Sequence, residues 1–267
     1  MVASGRDRVH VWDAGEGPAV MLLHGFGGST ALQWEHALRT WSSRYRVIAP
    51  DLLWFGESSS QDPDPSLDHQ ARAMLDVAQA LDVTSMQLVG LSYGGMVAEE
   101  IVQQRAELVR SRVTVDSPAN LWSRADHAAM LARFAADHAA EIFVPETPEG
   151  VRRLLSLAYH HPPRIPRSTA RTIVENMYDP HRDALTALLT YLEDNLERLV
   201  ARPSNHAIPS LVVWGEEDDV FPVDVGRRLA AHQGARFETI PNTKHLPIAE
   251  APETFDAIVL PHLALHA

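Results

Sequence analysis

Two hydrophobic rhythms alternate along most of the chain. AVMLLHG (19–25) is a continuous apolar run, the pattern of a strand covered on both faces. YRVIAPD (45–51), SMQLVGL (85–91), SRVTVD (111–116), SLVVWG (210–215) and ARFETIP (235–241) predict further short strands. RVHVWDAG (8–15) predicts one more, joined to the run at 19–25 by a Gly-Glu-Gly-Pro turn. Between them the period lengthens to that of a helix. STALQWEHALRTW (29–41) places Leu38 and Trp41 at helical spacing from Trp34, behind a Ser29 or Thr30 cap. SLDHQARAMLDVAQALDV (66–83) carries Leu67, Ala71, Met74, Leu75, Ala78 and Leu81 on one stripe. YGGMVAEEIVQQRAEL (93–108), VGRRLAAHQ (225–233) and PETFDAIVLPHLALH (252–266) complete the helices. This alternation predicts an α/β fold with a mostly parallel central sheet flanked by helices.

The alternation stops near Pro118 and resumes near Ala207. The intervening stretch has no convincing strand pattern, only helical ones such as ADHAAMLARFAADHAAEIF (125–143) and RDALTALLTYLEDNLERLV (182–200), with the proline-rich HHPPRIP (160–166) between them. The expectation is a core of residues 1–117 and 208–267 carrying a helical insertion of residues 118–207. Such an insertion would lie over the carboxyl edge of the sheet, where ligands of open α/β proteins bind.

Candidate chemistry falls at strand ends. LVGLSYGG (88–95) fits G-x-S-x-G after a strand and before a helix, with Gly90 and Gly94 flanking Ser92. In so tight a turn, side chains two before and two after the serine would collide, while the strained serine stands clear of the sheet. The helix starting at Tyr93 aims its positive dipole end at the same place. The plainer alternative is an ordinary turn capped by a serine. HGFGG (24–28) frees the backbone to aim N–H groups inward, and the N–H of Phe26 with that of Tyr93 could hold an oxyanion. WGEEDDVFP (214–222) supplies Asp218 and Asp219, and PNTKHLPIAEAPETF (241–255) supplies His245, giving the order serine, acid, histidine. With 14 histidines in the chain, His245 carries weight only beside its partners. His160 and His161 are adjacent in a proline-rich loop and poorly placed to converge on one ion.

Composition narrows the classes. The formal net charge is −12, and an acidic surface repels phosphate backbones, so no nucleic-acid partner is expected. Cys 0 removes disulfides, thiolate metal sites and a cysteine nucleophile. MVASGRDRVHVW has no apolar core of a signal peptide and no stretch approaches a membrane span, so a cytoplasmic location is the expectation. No H-E-x-x-H, G-x-G-x-x-G or P-loop is present, so neither a metal nor a cofactor is expected.

These motifs together resemble the α/β-hydrolase superfamily, in the branch with a helical cap. HGFGG resembles its oxyanion-hole segment, GLSYGG its nucleophile elbow, GEEDDVFP its acid loop and KHLPIAEAPETF its histidine loop. The resemblance covers roughly residues 8–117 and 208–263; the insertion matches only in size and position. Counting the family's G-x-x-D-x-x-x-P loop from Gly215 to Pro222 implies Asp218 as the acid, with Asp219 a neighbour. Asp116 stays open as a rival, because some members take their carboxylate from the strand it closes. PDLLWFGESSS (50–60) departs from the family pattern at Trp54, where glycine is common; the ring could wall a pocket or simply pack. A serine at the elbow, rather than a carboxylate, implies acyl chemistry. The expected function is a carboxylesterase acting on a small or medium apolar acyl substrate through Ser92, Asp218 and His245. Phe143, Trp122 and leucines of the insertion could line its pocket or form the insertion's own core. The resemblance also permits a carbon–carbon bond hydrolase of ring-cleavage products, a lactonase, an acyltransferase or a perhydrolase. A ligand receptor on the same scaffold is the alternative of another class.

Overall fold

The computed structural model describes residues 1–200 and 202–267; residue 201, inside the expected insertion, lies outside the described residues. β1 (Val2–Ser4), β2 (Asp7–Val9) and the two-residue β6 (Ser59–Ser60) make a small antiparallel sheet. The large sheet contains β3 (Val11–Ala14), β4 (Ala19–Leu23), β5 (Arg46–Pro50), β7 (Met86–Leu91), β8 (Val109–Val115), β9 (Ser210–Gly215) and β10 (Arg236–Ile240). Its order is β10-β9-β8-β7-β4-β5-β3, parallel throughout except for β3 at the edge, which runs antiparallel to β5.

The strand expected over residues 8–15 is divided. At His10 the backbone N–H donates to Ser58 Oγ at 2.9 Å instead of to a strand, so β2 goes to the small sheet and β3 to the large one. The turn after β3 makes no hairpin, since β5 lies between β3 and β4. The helix expected over 29–41 is likewise two, α1 (Thr30–Gln33) and α2 (Glu35–Trp41), broken at Trp34 with φ −114° and ψ 10°. α1 is held as a separate turn because Thr30 N–H donates to Asp51 Oδ1 (2.8 Å) and Gln33 Oε1 accepts the N–H of Gly25 (2.6 Å).

The pleat of the parallel strands sorts apolar residues onto two faces. Met21, Leu23, Ile48 and Leu88 pack with α3 (Leu67–Ala80) and α4 (Tyr93–Arg105). Val20, Leu22, Val47, Val89 and Val213 pack on the other face against Trp34 and Trp41 and against Phe255, Val259 and Leu263 of the closing helix (Pro252–Leu265).

Between β8 and β9 the described residues form helices only: α5 (Arg124–Phe134), α6 (Ala139–Phe143), α7 (Pro148–Ala158), α8 (Arg167–Ile173) and α9 (Arg182–Val200). The pattern at 125–143 is split at Ala135, whose left-handed φ of 50° ends α5. α5 starts on a capping box of Ser123 and Asp126, and α7 on Thr147 with Pro148 in its first turn. α8 runs through a π-helical turn (Val174–Tyr178) and a 3-10 turn into α9, whose Leu188, Leu189 and Leu196 join the core on the α4 face. Among the described residues no helix is long and apolar enough to cross a membrane.

Strand register brings the working loops to one edge. Leu91 of β7 lies level with Val115 of β8, Val115 with Val213 of β9, and Gly215 with Ile240 of β10. Ser92, Asp116, the acid loop and the histidine loop therefore leave the sheet side by side.

Candidate active site

Ser92 stands between β7 and α4 with φ 52° and ψ −119°, a left-handed backbone that a non-glycine residue holds only at a cost. A Cβ on Gly90 would lie 2.6 Å from Gly94 O, and one on Gly94 would strike Leu23 O. The Ser92 N–H donates to Val115 O at 2.8 Å, which ties the turn to β8. Its side chain makes no capping bond to α4, unlike Ser66 at the head of α3 or Ser123 at the head of α5. The hydroxyl instead lies 2.9 Å from His245 Nε2.

His245 Nδ1 lies 2.8 Å from Asp218 Oδ2. Asp218 Oδ1 accepts the N–H groups of Val220 (2.7 Å) and Phe221 (3.1 Å), so its carboxylate closes its own loop while facing the imidazole. That loop is pinned by Trp214 Nε1–H on Phe221 O (2.8 Å), and Glu217 N–H donates to Thr243 O (3.0 Å), tying it to the histidine loop. The Asp218 side chain is wholly buried and that of His245 is 11% exposed, so the pair is shielded while its serine end faces a cavity. With Nδ1–H directed at a carboxylate, Nε2 is the nitrogen left free to accept the serine proton. Asp219 turns outward and pairs with Lys244 Nζ at 2.7 Å.

A cavity of about 260 Å³ opens over Ser92 and His245, lined by Phe26, Tyr93 and Met96 from the sheet side and by Phe143, Leu154 and Ile173 among others from the helical segment. Gly25 brings the oxyanion-type loop against the elbow: a Cβ there would lie 3.1 Å from Ser92 Cβ. Among the described residues the N–H groups of Phe26 and Tyr93 donate to no protein acceptor. The helical segment rests on the same loop through Tyr178, whose hydroxyl donates to Gly27 O at 3.3 Å. Trp54, with φ 67°, packs edge-on against His69 (5.8 Å) and borders a separate cleft with Pro63, Pro65 and Ala184 rather than this cavity. Trp122 and Phe143 do face cavity space: Phe143 lines both this cavity and a second of about 60 Å³, and Trp122 lines the second. His160 and His161 stack edge to face at 4.4 Å, His160 Nδ1 meets Glu217 Oε2 at 2.6 Å, and among the described residues no group of three or more ligating side chains converges.

Several contributors escaped the motif reading. His24 is fully buried; its Nδ1–H donates to Gly25 O (2.9 Å) and its Nε2 accepts the N–H of Leu52 (2.9 Å), which fixes one neutral tautomer. Burial lowers its pKa, so it stays uncharged and braces the glycine loop. Gln33 holds the Gly25 N–H from below and lines the cavity. Only the His-Gly pair at a strand end could have signalled His24; nothing local marks Gln33. Asp116, fully buried, bonds through Oδ1 to the N–H of Gly215 (2.8 Å) and does not meet the imidazole. Burial, and then the charge of Asp218, raise the Asp116 carboxyl well above the usual range.

The chain belongs to the alpha/beta hydrolase fold family, whose model matches residues 18–252. It is similar to the 2-hydroxy-6-oxononadienedioate/2-hydroxy-6-oxononatrienedioate hydrolase of Paraburkholderia xenovorans, at 27% identity over 97% of this chain and 92% of that one. It is similar also to Lipase 1 of Psychrobacter immobilis, at 26% over 88% of this chain and 73% of that one. The solved 2-hydroxy-6-oxo-6-phenylhexa-2,4-dienoate hydrolase of Rhodococcus sp. strain RHA1 superposes with a TM-score of 0.82 at 22% identity, covering 97% of this chain and 96% of that chain, a likeness of fold.

Proposed function

We propose that the protein is a serine-dependent carboxylic ester hydrolase working through an acyl-enzyme, with residues 118–207 as a cap over the site. The observation that carries this is His245, which reaches the Ser92 hydroxyl with one ring nitrogen and the Asp218 carboxylate with the other beneath an apolar cavity. Ser92 Oγ attacks the ester carbonyl carbon as its proton passes to His245 Nε2. The imidazolium keeps Nδ1–H on Asp218, which balances the new charge. The carbonyl oxygen, now an anion, is met by the N–H groups of Phe26 and Tyr93 at the positive end of α4. Collapse expels the alcohol, which leaves with the proton from Nε2. Water then gives a proton to Nε2 as its oxygen adds to the acyl carbon. The second collapse releases the carboxylic acid and returns the proton to Ser92.

Cavity size and chemistry favour a small or medium apolar ester. About 260 Å³ lies just below the usual range of small-molecule sites, which starts at roughly 300 Å³. The second cavity shares Met96, Phe143, Leu189, Leu192 and Phe221 with the first, so a longer chain has apolar space beyond that wall.

Cleavage of a carbon–carbon bond in a ring-cleavage product is the second reading, favoured by the similarity to the hydrolases from Paraburkholderia and Rhodococcus. The cavity lining weighs against it. No Arg or Lys is among the described lining residues, so a carboxylate desolvated there would meet no permanent cation and only the imidazole of His245. The test is hydrolysis of p-nitrophenyl acetate, butyrate and octanoate beside ring-cleavage products. Repeated ester turnover is expected; faster cleavage of the ring-cleavage products would select the second reading, and release of a single equivalent would indicate a receptor.

A further inference from the structure

Asp116 is a buried carboxyl group to which ester cleavage gives no task. It closes β8 in a left-handed backbone conformation, φ 41°, and is fully buried. Oδ1 accepts the N–H of Gly215, the last residue of β9. Oδ2 has no donor facing it among the described residues. Asp218 meets the same Gly215 from the other side, its N–H donating to Gly215 O at 3.3 Å, and its carboxyl charge acts on Asp116. Two ionised carboxylates cannot rest against one another away from water, and one shared proton both removes the repulsion and supplies the missing donor. Asp218 already accepts from Val220 N–H, Phe221 N–H and His245 Nδ1–H, all of which favour its anion, whereas among the described residues Asp116 accepts only from Gly215. The proton therefore belongs on Asp116.

We propose that Asp116 is a positioning residue: its neutral carboxyl group donates a hydrogen bond to the Asp218 carboxylate and fixes the orientation in which that carboxylate meets His245. The surrounding charges agree. Glu250, in the short helix Pro247–Glu250 that follows the histidine loop, adds negative potential in the same sense and is itself held by the N–H groups of Lys244 and His160. Lys244 spends its charge on Asp219 at the surface, and His245 reaches the pair through Asp218. Burial and these anions raise the Asp116 carboxyl well above the usual range, in the same sense as the hydrogen-bond inventory.

The kinetic tests rest on the ester-hydrolase reading; the spectroscopic one does not. In an infrared difference spectrum of the wild type against Asp116→Asn at neutral pH, the wild type should show the carbonyl stretch of a protonated carboxyl group. A spectrum with carboxylate bands alone overturns the proposal. In kinetics, Asp116→Asn keeps a donor for Asp218, an acceptor for Gly215 and a neutral charge. It should retain kcat within several-fold, and the acid limb of kcat/KM should not move. An anionic Asp116 would stabilise the imidazolium, so its removal would shift that limb to lower pH; such a shift overturns the proposal. Asp116→Ala removes the donor and should lower kcat roughly 10- to 100-fold with little change in KM, the size seen when the partner that orients a metal-bound histidine or carboxylate is lost. An Asp116→Asn loss as deep as that of Asp218→Asn would also overturn it, by making Asp116 the primary acid. Should no ester be turned over, the ester reading falls and the infrared band still decides the state of Asp116.

Discussion

Apolar residues do different work in the sheet and in the helical segment between β8 and β9. Every residue of β7 is buried, and the strand's only task is to hold its loop at a fixed height. α7 is clearly amphipathic, yet Val151 is its single buried residue, while Leu154, Leu155 and Leu157 stay half-buried and face the cavity. A hydrophobic stripe normally finds its partner in the protein; here the partner is the space over Ser92. The sheet thus fixes where the candidate site residues stand, and the helices shape the space above them.

That division can be broken by mutation, beginning with the elbow. Ser92→Ala should lower kcat on the order of 10⁶-fold with unchanged circular dichroism and thermal midpoint; a much milder loss would mean another nucleophile. Asp218→Asn should cost about 10⁴-fold in kcat at full folding, because the imidazole is left in the wrong tautomer. Near-normal turnover in Asp218→Asn together with its loss in Asp116→Asn would reverse the assignment of the acid. Leu22→Ala, in the sheet, should cost about 2–5 kcal/mol in urea unfolding. Leu154→Ala should stay within about 1 kcal/mol and act on KM instead; equal stability costs would erase the distinction between the two regions. A change of specificity rather than of stability is expected at Phe143. Phe143→Ala opens the wall between the two cavities and should raise the octanoate-to-acetate ratio of kcat/KM roughly 10-fold.

The chain itself made the sheet and its loops legible for a physical reason. Parallel strands buried on both faces leave continuous apolar runs, and the tight turn at Ser92 admits only glycine-sized residues two places before and after it, so both leave local marks. The misses are contacts made from a distance. The break at His10 depends on Ser58, and the one between α1 and α2 on ties to Asp51 and Gly25. α7 and α8 pack against each other around Val151, Ala170 and Val174, a cluster too sparse to stand out in a stretch with Arg152, Arg153 and several prolines. The acid was ambiguous because Asp116 and Asp218 both end strands or their loops. Only the fold directs one carboxylate at the imidazole and buries the other against Gly215.

The proposed activation of Ser92 by His245 is open to adduct mapping. Protein treated with a fluorophosphonate, digested and sequenced by mass spectrometry should carry the phosphonyl group on Ser92, and His245→Ala should remain folded but react far more slowly. An adduct on another residue, or labelling of Ser92 at the same rate without the imidazole, would contradict the account.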